Sequence, residues 1–190
     1  LPGALSSSTR GIVAGGRDPS ATNIINYNTI ASVGNSADFG DLSVARYSQV
    51  GISSPTRGCF MGGSTGSGSN VIDYITIATT GNAADFGDLV EVGEQCGGGA
   101  SSGLGLLMGF YGSGGQTGKV DFITIASQGN STRFGDLSVA RMTTGGLSNS
   151  IRGILPGGQD TGGNAVNTID FNIIANGGTS VDFGDCTMTR

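Results

Sequence analysis

A repeat of about 47 residues runs through the whole chain and constrains its fold more than any other feature. The motif Phe-Gly-Asp ends at four positions spaced by 47, 48 and 49 residues, namely Asp41, Asp88, Asp136 and Asp185. If the chain is divided five residues after each of these Asp residues, the units are 1–46, 47–93, 94–141 and 142–190. The triplet Asp-Phe-Gly binds magnesium in kinases, but a catalytic triplet occurs once. The period therefore predicts one structural unit per repeat.

Each unit has the pattern of short strands separated by turns. Val, Ile, Thr, Phe and Tyr fill apolar runs of at most about ten residues, and Gly supplies 37 of the 190 residues. In the second unit the segments 48–53, 57–63, 70–78 and 85–92 are strand-like. The links between them contain the Gly, Asn, Ser and Pro residues that tight turns require. Each unit is therefore predicted to be a four-stranded antiparallel meander.

The third strand of the unit is apolar on both of its faces. Ile72 and Tyr74 lie on one face, and Val71, Ile75 and Ile77 lie on the other. Such a strand needs cover on both sides, which one sheet alone does not provide. Sheets stacked face to face around an axis do provide it. We therefore predict an all-β fold, a four-bladed β-propeller in which residues 1–190 form a single domain.

The repeated residues also resemble kelch repeats over the whole chain. The apolar strand of three units ends in a glycine pair: Gly15 and Gly16, Gly62 and Gly63, and Gly157 and Gly158. The kelch Tyr is matched by Tyr27, Tyr74, Phe122 and Phe171, its Trp position by Phe39, Phe86, Phe134 and Phe183, and its closing Arg by Arg46, Arg141 and Arg190. The chain departs from the family in having no Trp and in having Gly109-Phe110 in place of a third-unit pair. The resemblance implies blade architecture.

The repeats TRGxxxGG, IxYITIAxxGN and DFGDLxxAR are similar to repeats in long proteins of tailed bacteriophages, especially marine ones. That resemblance implies a virion component and an extracellular or virion location. The start of the chain, LPGALSSST, lacks the basic and apolar regions of a secretory signal and an initiator Met. We interpret this as a sign of a processed product or of a piece of a longer chain.

The repeated Phe, Gly and Asp residues are predicted to have structural roles. Phe39, Phe86, Phe134 and Phe183 are expected to pack between blades, and the glycine after each one to form a turn or bulge. Asp41, Asp88, Asp136 and Asp185 are expected to cap this turn by accepting backbone hydrogen bonds, or else to pair with the closing Arg. A calcium site formed by Asp38 and Asp41 is a further alternative, although Arg133 replaces the first Asp in the third unit.

One stretch, residues 90–118, departs from the pattern of the other units. Gly93 and Leu104 replace the usual arginines, and Glu91, Glu94, Phe110 and Tyr111 are added. One interpretation is drift with compensated packing. The other is a contact blade, in which these four added residues meet a protein partner or the face of a sugar.

Composition argues against several classes of function. The net charge is −5 with one lysine, and the arginines are scattered, so neither nucleic acid nor a membrane is an expected partner. No apolar run approaches the roughly 20 residues that cross a bilayer. Cys59, Cys96 and Cys186 are interpreted as small apolar residues.

The chain is also predicted not to be an enzyme. Histidine is absent, which removes the commonest general base and metal ligand. The stretch ending in Gly118-Lys119 has Val120 where a phosphate loop has Ser or Thr, so no cofactor is expected. Two functions remain: a structural or adhesion module that self-associates or binds protein partners, and a carbohydrate-binding propeller.

Overall fold

The computed structural model describes residues 1–142 and 145–189, and every regular element in these residues is a β-strand. Seventeen strands occur in the described residues. The first sheet contains β1 (Gly3–Ser6), β2 (Arg10–Ala14), β3 (Ile24–Thr29) and β4 (Ala37–Asp41). The second contains β5 (Val50–Ser53), β6 (Arg57–Met61), β7 (Val71–Thr76) and β8 (Ala84–Asp88). The third contains β9 (Gly97–Ala100), β10 (Leu104–Gly112), β11 (Gly115–Thr124) and β12 (Thr132–Asp136). The fourth contains β13 (Arg141–Met142), β14 (Leu147–Ser148), β15 (Arg152–Asp160), β16 (Ala165–Ile173) and β17 (Val181–Asp185).

The four sheets are antiparallel meanders arranged as a four-bladed β-propeller, so the predicted fold class is confirmed. We number them blades 1 to 4 in chain order. The segments expected in the second unit match β5 to β8 to within a few residues at each end. Blade 4 differs from the others because its first strand is divided into β13 and β14, which both pair with β15. β13 begins at Arg141, the last residue of the predicted third unit.

The repeated Phe occupies a β-bulge in the fourth strand of every blade. In blade 1, Ile25 lies opposite Gly40 and Asn26 lies opposite Asp38, which leaves Phe39 as the extra residue. The same register shift occurs in the other three blades. A bulge re-aims the side chain that it contains. Each ring therefore meets the Tyr or Phe of the third strand edge-on, with centroids 5.7–6.0 Å apart.

The glycine pairs are required by backbone conformation and by space. Gly15 and Gly16 have φ of 62° and 122°, where L side chains are strained. A side chain at Gly15 would also overlap the carbonyl oxygen of Arg46, which accepts a hydrogen bond from the N–H of Gly16. The pair therefore lets the end of the unit lie directly against the second strand.

Three apolar cores lie between consecutive blades, and we call these interfaces junctions 1/2, 2/3 and 3/4. Each is built around the repeated Phe of the earlier blade and an Ile at the end of the third strand of the later blade. Ile77, Ile125 and Ile174 hold this second position and are at most 2% exposed. Phe39 and Phe86 are 2% and 3% exposed, whereas Phe183 of blade 4 is 52% exposed because no described residue covers it. The expected packing role is thus seen for Phe39 and Phe86, and for Phe134, which is partly buried against the core of junction 3/4, but not for Phe183.

Candidate functional site

Two buried ion pairs join the end of one sequence unit to the third strand of the next unit. The guanidinium of Arg46 lies 3.0 Å from the carboxylate of Asp73 across junction 1/2. Arg141, the last residue of the third unit, lies 2.8 Å from Asp170, and its strand β13 is already paired with β15 in the fourth sheet. All four side chains are 0% exposed. Burial lowers the pKa of Arg46, and Asp73 opposes that shift. The closing Arg therefore fastens the end of its unit to the third strand of the next unit. Arg190 lies outside the described residues.

The carboxylates of the Phe-Gly-Asp motif do not have the roles expected for them. Within the described ranges, none of the four carboxylates accepts a hydrogen bond or forms an ion pair; the residues are Asp41, Asp88, Asp136 and Asp185. It is their backbone that makes contacts, because the carbonyls of the first three accept hydrogen bonds from the following blade. The capping interpretation is thus wrong for these residues, and the closing Arg pairs with a different Asp. Sequence reasoning missed Asp73 and Asp170, although both stand at the same place in the repeat.

Junction 2/3 replaces the ion pair with a different arrangement. Gly93 stands where Arg46 and Arg141 stand in the other units, and a Cβ added to it would lie 2.8 Å from the ring of Phe110. Phe110 is 0% exposed and belongs to the core of this junction. The ring thus occupies space beside the position where an Arg side chain would start. This supports compensated packing, and the prediction that Phe110 contacts a partner is wrong because its side chain is buried.

Asp121 is left in junction 2/3 without a closing Arg. Its side chain is 0% exposed, and its nearest cation is Arg133 of the neighbouring strand, at 3.3 Å and outside hydrogen-bonding geometry. Burial raises the pKa of Asp121 to about 6, and Arg133 offsets part of that effect. Arg133 also pairs with Glu91 at 3.1 Å. The residue that replaces the expected Asp of the third unit therefore supplies positive charge to a buried carboxylate.

Asp121→Asn is expected to stabilise the protein at pH 8 and to remove one component of its pH dependence. The pKa of Asp121 is about 6 in the folded protein, which is higher than in the unfolded chain. The group therefore contributes to the free energy of unfolding below about pH 4, and this contribution is lost as the pH rises through 6. The effect is on the order of 1–3 kcal/mol. Urea unfolding between pH 4 and 8 measures it, with Asp41→Asn as the control. Identical pH profiles for Asp121→Asn and the wild type would contradict the role of this group.

The other residues of the expected contact blade lie in two places. Tyr111 is 41% exposed, and its backbone exchanges two hydrogen bonds with Glu94. Glu91 is half-buried between Lys119 and Arg133. Burial opposes ionisation of Glu91, but the hydrogen bonds and charges of these two cations outweigh it and lower its pKa. Glu94 and Tyr111 are thus together and accessible, while Glu91 is part of an ion network.

The three cysteines form no disulfide in the described residues. Cys59 is fully buried in the core of junction 2/3, where burial raises the pKa of its thiol to about 12. Burial raises the pKa of Cys96 as well. The apolar interpretation thus fits Cys59, while Cys96 and Cys186 are half-buried.

A cavity of about 690 Å³ lies where the four blades begin, and it is the candidate binding site of the molecule. Its described lining comes from all four units and consists of Leu1, Pro2, Arg17, Tyr47, Ser48, Gln49, Gln95, Cys96 and Gly145. The guanidinium of Arg17 lies 5.3 Å from the centre of the Tyr47 ring. Ser48 and Gln95 occupy equivalent positions and both have positive φ, a strained conformation for residues with side chains.

Gln49 is the buried polar group of this cavity. Its amide nitrogen donates to the carbonyl of Ala14 at 2.7 Å, and the side chain is 5% exposed. Its Oε1 has no partner among the described residues. The cavity therefore offers a Tyr ring, a guanidinium and the polar side chains of Ser48 and Gln95, which are groups suited to a small hydroxylated molecule.

The described residues contain no group of three His, Cys, Asp or Glu side chains placed to hold a metal ion. In the same residues we find no helix long and apolar enough to cross a membrane. No protein family matches this sequence, and no curated protein matches it. The likeness to kelch repeats and to phage virion repeats consequently rests on the residues quoted for it, and what it implies beyond the propeller fold remains a proposal.

Proposed function

We propose that this protein is a non-enzymatic structural or adhesion module of an extracellular assembly, with a phage virion appendage as the setting. The observation that carries the proposal is the position of the buried charged groups. Arg46 with Asp73 and Arg141 with Asp170 each join the last residue of one unit to the third strand of the next unit, at the place where one repeat passes into the following one. Breaking such a pair is costly, so it favours one arrangement of the sheets. A rigid body of this kind suits a particle that is exposed to proteases.

Two further features support a role other than catalysis. The described lining of the cavity at the start of the blades contains no carboxylate, and the chain contains no histidine. General acid–base chemistry most often uses one of these groups. The setting in a virion is supported by the resemblance of the repeats to phage proteins. The glycine pairs, the repeated aromatic residues and the closing Arg support kelch-like ancestry for the blades.

A second candidate function is carbohydrate binding in the cavity. The specific observation in its favour is the lining of the cavity, in which Tyr47 and Arg17 lie beside the polar side chains of Ser48 and Gln95. Aromatic rings pack on apolar faces, and hydroxyl and amide groups exchange hydrogen bonds with hydroxyl groups. Tyr111 with Glu94 offers a smaller accessible surface of similar chemistry.

A glycan array separates the two functions. The structural module is expected to give no signal above background. If a glycan does bind, Tyr47→Ala is expected to weaken binding at least tenfold by calorimetry, since stacking contributes about 1.5 kcal/mol or more. Tyr111→Ala is the matched variant. Loss of binding in Tyr47→Ala alone assigns the lectin function to the cavity and overturns the structural proposal, whereas loss in Tyr111→Ala alone assigns it to the third blade.

A further inference from the structure

The three junctions share one set of backbone contacts. In each, two N–H groups before the fourth strand of the later blade donate to two carbonyls of the fourth strand of the earlier blade, over 2.7–2.8 Å. The donors are Gly81 and Ala83, Gly129 and Ser131, and Gly178 and Ser180, and the acceptors are Phe39 and Asp41, Phe86 and Asp88, and Phe134 and Asp136. The junction is therefore a defined interface that the chain forms three times.

Blade 4 presents the first half of this interface without its partner. We define its trailing face by Leu147, Arg152, Phe183 and the carbonyls of Phe183 and Asp185. Leu147 and Phe183 are 56% and 52% exposed. Their counterparts in blades 1 and 2 are covered, since Leu5, Ile52, Phe39 and Phe86 are 2–8% exposed. A Cβ added at Gly184 would meet no atom within 4 Å, whereas at Gly40, Gly87 and Gly135 it would strike the backbone of the next blade.

Blade 1 presents the second half. We define its leading face by Val13, Asn28, Ile30 and the turn Gly34–Ser36. Val13 and Ile30 are 43% and 59% exposed. The residues at these two positions in the other blades are buried: Phe60, Leu107 and Leu155 at 0%, and Ile77, Ile125 and Ile174 at 1–2%. The turn has the Gly-Asn sequence found at the donor positions of blades 2 and 3.

The polar residues of the leading face are also compatible with burial. Asn28 and Ser36 stand at the positions of Asn172 and Ser180 in blade 4. In junction 3/4 the hydroxyl of Ser180 donates to the side-chain oxygen of Asn172 at 2.7 Å, and Ser180 and Asn172 are 7% and 3% exposed. An Asn and Ser pair therefore already lies inside one junction of this protein.

We propose that the trailing face of one copy of this protein binds the leading face of a second copy, head to tail. Both faces belong to one chain and carry the residue types of the internal junctions, so a second copy supplies the missing half of each. The N–H groups of Gly34 and Ser36 then donate to the carbonyls of Phe183 and Asp185, and Phe183 packs on Ile30. Such a contact joins two different surfaces, so it extends into a ring or an open array. The proposal rests on the structural role proposed above and names the partner.

The test is the mass of the protein in solution, measured by sedimentation at rising concentration. The wild type is expected to pass from 18.9 kDa to at least twice that mass. Phe183→Glu removes the trailing face and Ile30→Glu removes the leading face, so each variant alone is expected to remain at 18.9 kDa. Mixed in equal amounts, the two variants retain one intact face each, and a capped dimer of one copy of each is expected.

Val44→Glu is the matched control, because Val44 is 39% exposed and the second unit has Glu91 at the same position. It is expected to associate as the wild type does. Circular dichroism of each variant checks that the sheets are retained. A wild type that stays monomeric at all concentrations overturns the proposal. A second result also overturns it: if the Phe183→Cys variant is monomeric and its new thiol is protected from thiol reagents, blade 1 of the same chain covers the trailing face. Neither result contradicts the proposed structural role. That role is contradicted only by glycan binding in the array experiment.

Discussion

Replacing Phe86 with alanine is expected to lower the free energy of unfolding by about 3–5 kcal/mol. Phe86 is 3% exposed and lies in the core of junction 2/3. Its ring meets Tyr74 edge-on at 6.0 Å, and its bulge fixes its direction. Removing the ring leaves a cavity between two rigid sheets, which relax little because backbone hydrogen bonds hold them together. Urea unfolding monitored by far-UV circular dichroism measures the loss.

Phe183→Ala is the matched control for this prediction. Phe183 has the same place in the repeat and the same edge-on contact with Phe171, at 5.9 Å, but it is 52% exposed. The loss is expected to be within about 1 kcal/mol when the protein is dilute enough to be monomeric. Equal losses in the two variants would show that blade 4 is covered in solution by its own chain, and the assignment of Phe183 to an open face would be wrong.

The second large effect is expected from Arg141→Met. The substitution leaves the carboxylate of Asp170 buried with only the hydroxyl and the N–H of Ser138 as polar partners. Breaking a buried pair on one side costs about 3–5 kcal/mol because an uncompensated charge remains. The guanidinium also donates to the carbonyl of Leu155 in β15, so that bond is lost as well. Thermal and urea unfolding are the measurements.

The double variant Arg141→Met with Asp170→Leu separates charge from packing. It removes both charges and keeps the volume apolar, so it is expected to recover most of the lost stability. Failure of the double variant to recover would indicate that the hydrogen bonds of Ser138 and Leu155, and not the unpaired charge, hold junction 3/4 together. Junction 2/3 has an apolar ring, Phe110, beside Gly93 at the place of the Arg, but it keeps the buried carboxylate of Asp121 at the place of Asp170.

The periodic features of the fold could be predicted from the sequence. Strand positions, the glycine pair at Gly62 and Gly63, and the bulge after Phe86 all follow from local residue preferences repeated in each unit. Short apolar runs bounded by turn residues are local signals, and repetition adds to their weight. The blade architecture follows because a strand such as β7 is apolar on both faces.

The contacts between blades could not be predicted in the same way. Asp73 pairs with Arg46 of the preceding unit, and no local rule connects a third-strand Asp with an Arg 27 residues earlier. Phe110 breaks the pattern of its own unit, which is compatible with either a surface contact or compensated packing, and the residue that decides between them, Gly93, belongs to another unit. A comparison of the four units position by position does indicate this contact. The second unit has Gly93 where two other units have Arg, and the third unit, which follows it, has Phe110 where the other units have a glycine.

The recurrence of one junction has a consequence for the history of the gene. The later blade of each junction donates the same two backbone hydrogen bonds to the blade before it, so an additional unit would find the same backbone partners as the unit beside it. The side chains are less interchangeable, because Gly93 at the end of the second unit is matched to Phe110 of the third. We therefore expect gain or loss of a whole unit to keep the backbone contacts between blades and to require new side-chain matching at one junction.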